Sequence, residues 1–443
     1  MITMPTVGYA DVGAGTIRKV RARIIPLVFI LFVIAVLDRN NIGFAALTMN
    51  QELGITSQQY GFIAGIFFFG YFIFEIPSNL LLHRIGARVW IARILITWGI
   101  VTILSGFARS AQQLYAARFL LGFAEAGYFP GILLYLTYWF RQRELAQTVA
   151  LFLTANPVAN LIGAPSSGVI LDHAHWFGLS SWRWLLILEG VPAVVGGVLA
   201  YLLLPGRPAE ANFLTAEERD WLTSELAREE REKLTSGRFT VGQALMHGRV
   251  WHLTAIYFTA LLGFYSMIFW MPQLVKMLAG QYSNTTIGLL VMIPYLIGLP
   301  VMILAGRSSD RRLERRYHAA VPLAVAAVAV LLLGTIEPGS VFVAVALWCL
   351  VASGIVSLWG PFWALPNEFL TGYSAAAGIA LINCFGNLGG FVGPYAIGAS
   401  KGLTGSFRTG LVLVGMSLLT SAALILALRQ RGVPETGAVA PVQ

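Results

Sequence analysis

The chain has 443 residues, of which 57% are hydrophobic and only 12% charged, with 46 glycines and a mean hydropathy of +0.72. No soluble core buries that much apolar surface, so the composition excludes an ordinary globular domain and points to an all-α protein that crosses a membrane many times. The formal charge of +9 and the pI of 9.7 fit basic loops beside anionic lipid and argue against a nucleic-acid partner.

Arg18, Lys19, Arg21 and Arg23 precede the first apolar stretch, which is too long for a signal-peptide core and lacks a small-residue cleavage site, so it reads as a retained span. Twelve stretches in all are long enough to cross about 30 Å of hydrocarbon: 24–46, 58–82, 89–108, 112–139, 147–170, 184–204, 251–275, 284–305, 318–336, 341–366, 374–397 and 409–428. With the N-terminus inside, 22 of the 30 Lys and Arg fall in cytoplasmic segments and five in external loops, Arg93 being just within the inner end of span three and Arg39 and Arg118 deep inside spans. That bias predicts a multi-pass protein of the cell inner membrane with both termini cytoplasmic.

Span one holds Asp38-Arg39-Asn40-Asn41 between FVIAV and IGFAAL, about 20 Å along a helix that rises about 1.5 Å per residue. That depth is at or beyond mid-membrane, too far for Arg39 to snorkel easily to the inner surface. Glu75 lies near the inner end of span two, where a cap or a pairing with a loop arginine accounts for it. Span four carries Arg118 and Glu125 seven residues apart, nearly two turns, so both face one way about 10 Å apart. Glycines 122 and 127 thin that helix and Pro130 bends it. Two arginines and two carboxylates at such depth cost a few kcal/mol each unless paired or hydrated, and groups of this kind face functional cavities. The plain alternative is two structural ion pairs. Span five holds the i,i+4 pair Asn156 and Asn160, and span six Glu189; Asp172, His173 and His175 sit in the external loop between them and read as a solvated face.

The segment 205–250 is the only long polar stretch and opens with Pro205-Gly206-Arg207-Pro208. It divides the chain into an N-terminal six-helix bundle, 1–204, a cytoplasmic linker, 205–250, and a C-terminal six-helix bundle, 251–443. Within the linker, Thr215 and Glu218 fit a capping box, followed by Trp221, Leu222 and Leu226 at helical spacing. An amphipathic helix on the membrane surface or against the bundle ends is expected, or else a solvated connector.

Span seven offers Tyr257, Tyr265 and Gln273; span ten has Trp359 in a stretch broken by glycine and serine; span eleven has Asn383 and Asn387, again i,i+4. The second half repeats the first at an offset of 227: Asn156 and Asn160 map onto Asn383 and Asn387, His83-Arg84 and Arg88 onto Asp310-Arg311 and Arg315, and Asp38 onto Tyr265. Two pseudo-symmetric six-helix bundles follow, with a cavity at their interface near the midplane. Cys349 and Cys384 match no metal or redox spacing and read as packing residues. No metal-ligand cluster and no nucleophile with a base is found, so an enzyme is not expected, and neither metal nor cofactor is called for.

The stretches Leu37-Asp38-Arg39-Asn40-Asn41-Ile42-Gly43-Phe44-Ala45, Phe74-Glu75-Ile76-Pro77-Ser78-Asn79, Gly86-Ala87-Arg88 and Arg118 through Gly131 resemble the anion:cation symporter family of the major facilitator superfamily. The likeness runs from about residue 20 to 430 and looks closest to bacterial tartrate-type carriers, with more distant likeness to carriers of D-galactonate, phthalate and 4-hydroxyphenylacetate. The resemblance implies Arg39 and Arg118 as binders of a substrate carboxylate and Asp38 and Glu125 as proton carriers. It also implies a solute-contacting asparagine at Asn383 or Asn387, and an inner gate built from Arg84 and Arg88 with Asp310 and Arg311. His83 stands where that gate's first copy usually has an acid. Span seven lacks the arginine of the vesicular glutamate branch, which disfavours that branch.

The expected function is uptake of a small organic anion, such as tartrate or a related hydroxy or sugar acid, together with protons, by a monomer in contact with membrane lipid. With the site empty, Arg39 and Arg118 are expected to satisfy nearby carboxylates, Asp38 and Glu125 among them. A substrate carboxylate that takes over an arginine leaves an acid unpaired, and that acid takes up a proton. Tyr265 and Trp359 are candidate solute contacts. Carriage of an aromatic acid, a proton-antiport exporter and a non-transporting sensor are the competing readings.

Overall fold

The computed structural model describes residues 8–235, 246–312, 314–336, 340–368 and 372–428. Among them the chain is helical, with no strand. In the first half lie α1 (Gly8–Glu52), α2 (Ser57–Ile85), α3 (Ala87–Ser105), α4 (Ala111–Glu125), α5 (Tyr128–Thr137), α6 (Gln142–Leu153), α7 (Ala155–His173) and α8 (Ser181–Leu203). The linker contributes α9 (Ala216–Thr235). The second half has α10 (Gly248–Leu278), α11 (Asn284–Arg312), α12 (Arg316–Leu333), α13 (Val341–Ala364), α14 (Gly372–Gly386), α15 (Gly389–Thr404) and α16 (Arg408–Leu426).

Eleven helical segments are long and apolar enough to cross a membrane among the described residues. The expected eleventh crossing differs: it is two shorter helices, α14 of 15 residues and α15 of 16, meeting at Asn387-Leu388. Span four is also broken, beyond the bend expected at Pro130. The chain leaves α4 at Ala126 and restarts after Gly127, whose φ of 83° lies in the left-handed region that glycine adopts without strain. Span five breaks at Thr154, between α6 and α7.

Polarity is inverted relative to a soluble protein. Leu104, Leu202 and Leu304 are each more than 60% exposed, while Asp38, Glu125, Ser78 and Ser266 are fully buried. An apolar exterior around a polar centre is stable only where the surroundings are hydrocarbon.

Each half packs on itself, α3 on α8 and α2 on α4 in the first, α12 and α11 on α13 and α12 on α16 in the second. The halves meet along two long seams, α2 with α15 and α7 with α11, and along α1 with α10 between them. The repeat maps one seam onto the other, and a glycine stands at the same place in each. A β-carbon on Gly61 would press into the Pro394 carbonyl, and one on Gly288, 227 positions later, into the Ala164 carbonyl. Both sites lie toward the end of the bundle remote from the linker. There Asn50 donates to Gln273 (3.4 Å), Gln58 to Tyr395 (3.3 Å), and Asp172 caps α11 by accepting from the backbone of Asn284 and Thr285 (3.1 and 2.7 Å). The Thr285 hydroxyl (2.7 Å) and the Asn284 amide (2.9 Å) also donate to it, so Asp172 is a helix cap joining the halves and not the solvated group expected.

The capping box opens α9 as expected: Glu218 accepts from the Thr215 backbone (2.9 Å) and Thr215 from that of Glu218 (3.2 Å). Of the alternatives, docking on the bundle end is the one found. Lys19 reaches Glu218 at 2.6 Å, the Trp221 ring packs on Gly13, and the Arg141 guanidinium lies 4.7 Å over that ring. Residues 236–245 of the linker lie outside the described residues.

Candidate functional site

Four consecutive polar residues on a helix cannot share a face, because each step turns the side chain by about 100°. Asp38 to Asn41 therefore fan outward to different neighbours. Asp38 accepts from the Thr102 hydroxyl of α3 (2.8 Å) and from Asn41 one turn on (3.3 Å). Arg39 points to α4 and α10: its Nε donates to Glu125 at 3.0 Å, a second nitrogen binds the same oxygen, and a third reaches the Tyr265 hydroxyl at 3.3 Å. Asn40 donates to Asn160 of α7 (2.9 Å). Asn41, besides touching Asp38, faces Glu189 of α8, which accepts from Ser167 at 2.9 Å. The single turn thus ties α1 to α3, α4, α7, α8 and α10.

Arg118 and Glu125 share a face of α4, as their spacing requires. Close packing of Gly122 on the Phe67 carbonyl lays that face against α2. The guanidinium carbons of Arg39 and Arg118 lie 5.4 and 5.1 Å from the same Phe67 ring, so one aromatic face serves both cations. Glu125 is the last residue of α4, a position where a helix disfavours negative charge and the arginine offsets it.

Two ion pairs were expected in this quartet and one is found. Among the described residues Asp38 forms no ion pair, and Arg118, only 2% exposed, has no protein partner for its Nε and one terminal nitrogen. The charges of Asp38 and Glu125 reach Arg118 only over a distance. One oxygen of Glu125 is likewise buried without a partner. A buried, unsatisfied guanidinium costs several kcal/mol. Arg39, by contrast, keeps 16% of its side chain accessible although it lies mid-bundle.

The other expected contacts gather unevenly around this centre. Tyr265 is bonded to Arg39 and its ring lies 4.3 Å from that of Phe68. Trp359, half-buried, packs at 5.7 Å on Tyr257 and 5.5 Å on Phe264, which in turn touches Tyr265, so it extends the same aromatic wall. Asn383 donates to Glu75 at 2.6 Å, and Asn387 donates to the Asn383 carbonyl of its own helix at 2.9 Å.

Among the described residues the gating candidates are not joined across the halves. Arg88 donates to the Tyr201 carbonyl and lies over that ring, inside the first half. Asp310 pairs with Arg315, inside the second. Arg84 and Arg311 are exposed, and the side chain of His83 lies outside the described residues.

Sequence reading missed four contributors. Glu75 pairs with no loop arginine; it is 3% exposed and bonded to the opposite half. Tyr71, whose ring lies 5.8 Å from the Arg39 guanidinium, and Phe67 precede Glu75 at successive i,i+4 steps. That spacing, one face of one helix, was the available signal. Arg93 is a further arginine within a membrane span, stacked 3.8 Å over Trp90.

Residues 28–394 match the family model of the Major Facilitator Superfamily. Two Agrobacterium vitis proteins, each named "Putative tartrate transporter", are 42% identical over 98% of this chain and 99% of theirs, and 45% identical over 94% and 92%. A quinolone resistance transporter of Acinetobacter baumannii is 39% identical over 92% of this chain and 94% of its own. In fold, the chain is similar to the E. coli xylose transporter XylE in a partially occluded inward-open conformation. The TM-score is 0.74 at 15% identity, over 96% of this chain and all of that one.

Proposed function

This chain belongs to the Major Facilitator Superfamily, and on that premise we propose that it takes up a small organic anion, a tartrate-like hydroxy or sugar acid, together with protons. The observation that carries the reading is Arg118: a mid-bundle guanidinium, buried and without protein partners for two of its nitrogens, beside a second arginine already paired to an acid. A planar guanidinium grips a carboxylate with two parallel bonds, so Arg118 is the receiving group. The bound anion then competes with Glu125 for Arg39. Once released, Glu125 is an anion with little water around it and another negative charge nearby, and it takes up a proton. Asp38, held by Thr102 and Asn41, is the second proton carrier. A filled, neutralised site crosses the closed intermediate more readily than a charged one, and the halves rock about it.

The expected segments serve this cycle as two moving bundles, 1–204 and 251–443, with α9 of the linker docked on the first. Lys/Arg bias supports an inner-membrane protein with cytoplasmic termini. With the linker end inside, the seams and the Asp172 cap close the outer face, while Arg88 and Asp310 stay within their own halves, which fits an inward-facing form. Nothing in the reading needs a second copy of the chain.

The relative named for quinolone resistance and the aromatic wall of Phe68, Tyr265, Phe264 and Trp359 favour a second reading, export of an aromatic acid by proton antiport. Proteoliposomes under an imposed pH gradient separate the two. Acid outside drives accumulation of a hydroxy acid in the first reading; in the second, acid outside a vesicle loaded with an aromatic acid drives that acid out, as protons enter in exchange. Absence of any anion flux overturns both.

A further inference from the structure

Glu75 is a buried carboxylate that the proposed cycle does not use. One oxygen accepts from Asn383 across the seam between the halves at 2.6 Å; the other has no nitrogen or oxygen partner among the described residues, the Cys384 thiol being its neighbour. No ion pair holds it. It stands one turn beyond Tyr71, which lies against Arg39, so it is roughly 6 Å along α2 from that contact. The field of Arg39 reaches it, and the Tyr71 and Tyr257 phenols flank it.

A carboxylate with a free oxygen accepts hydrogen bonds from hydroxyl groups and repels other carboxylates. Placed one helical turn from the Tyr71 contact with Arg39, it reads the part of a substrate beside the carboxylate that the arginines hold, where a hydroxy acid carries its hydroxyl. We propose that Glu75 is the specificity-determining residue for substrate hydroxyls, with Asn383 as the positioning residue that fixes one of its oxygens and leaves the other for the ligand. The inference rests on the organic-anion reading given above and narrows it to hydroxylated acids. A site built to bond a hydroxyl rejects an analogue without one far more strongly than an apolar pocket rejects a missing methylene, because the buried acceptor is left unpaired.

The test uses the full chain in proteoliposomes and the competitors tartrate, malate and succinate, which carry two, one and no hydroxyl groups on one four-carbon diacid. Wild type is expected to bind them in that order, with about tenfold or more lost per hydroxyl removed. Glu75→Ala should flatten the ladder to within about threefold, by weakening tartrate and sparing succinate. An unchanged ladder in Glu75→Ala overturns the proposal, and so does equal weakening of all three acids, which marks a mere strut between helices. Should Glu75→Ala fail to reach the membrane, Glu75→Gln and Asn383→Ala read the same ladder, and no change in either overturns it. A wild type that carries anions but shows no ladder sinks this inference alone; one that carries no anion sinks the transport reading beneath it.

Discussion

Asp38 and Arg39 are neighbours in sequence, yet Arg39 is bonded to Glu125 and Tyr265 while Asp38 is bonded to Thr102 and Asn41. One helical step separates the cation proposed to meet the solute from an acid kept behind it. The two residues are therefore separable by mutation.

Glu125→Gln removes the acid that Arg39 releases and leaves its shape. Solute exchange across a membrane without a pH gradient should persist, and accumulation driven by an acid exterior should fall by about tenfold or more. Counterflow and gradient-driven uptake, measured on the same vesicles, check the split; undiminished uphill uptake removes Glu125 from the cycle.

Arg118→Lys keeps the charge and loses the two-pronged geometry. An interaction worth roughly 1.5–3 kcal/mol for a charged hydrogen bond corresponds to about 10- to 150-fold weaker substrate binding. Normal affinity in equilibrium binding to the purified variant argues against direct contact.

Asp38→Asn retains a hydrogen-bonding group beside Thr102 and leaves the Arg39 to Glu125 pair intact. Substrate affinity should change by no more than about threefold, within the spread expected for one neutral hydrogen bond, while the pH dependence of uptake flattens. Loss of binding equal to that of an Arg39 variant contradicts the separation of roles.

Gly288→Val drives a side chain into the Ala164 carbonyl on the seam that closes the end remote from the linker. Overpacking of roughly 1–3 kcal/mol shifts the conformational balance about 5- to 150-fold toward opening of that end. With Cys349 and Cys384 replaced by serine, an Asn50→Cys reporter beside that seam should react faster with an impermeant maleimide. An unchanged rate means the glycine contact does not set the balance.

The bond to the Lys19 ammonium, with the capping bond from the Thr215 backbone, holds the Glu218 carboxyl below the usual glutamate range. A depressed acid lends stability above its unfolded value, about 4.3, and loses it as pH falls through the lower folded value. Docking of α9 should therefore weaken only on acidification below about pH 4, seen as faster proteolysis within 205–250. Glu218→Gln should show that faster cleavage at neutral pH; a variant cleaved like wild type removes the pair from the docking.

Much of this arrangement was legible in sequence because depth and spacing are one-dimensional. The position of Asp38 to Asn41 within a span, the shared face of Arg118 and Glu125, the 227-residue repeat and the Thr215 cap all follow from counting residues. What counting missed depends on rotation and on contacts between halves. Arg39 chooses Glu125 over Asp38 because of where α4 lies around α1, and Glu75 finds Asn383 only once the second half is in place. The restart after Gly127 was hidden because an unbroken apolar run looks the same whether one helix or two traverse it. The gate candidates were recognised as a motif, but a motif carries no information about which conformation engages it.

Gly61 and Gly288 occupy the same place in the two copies of the repeat, and each receives a carbonyl from the opposite copy. Reciprocity of this kind is the signature of an isologous contact, in which one surface patch suffices for both partners. Either half thus presents, within one surface patch, the small residue that a like half needs in order to close against it, so a duplicated six-helix unit needs no separately designed face for each partner.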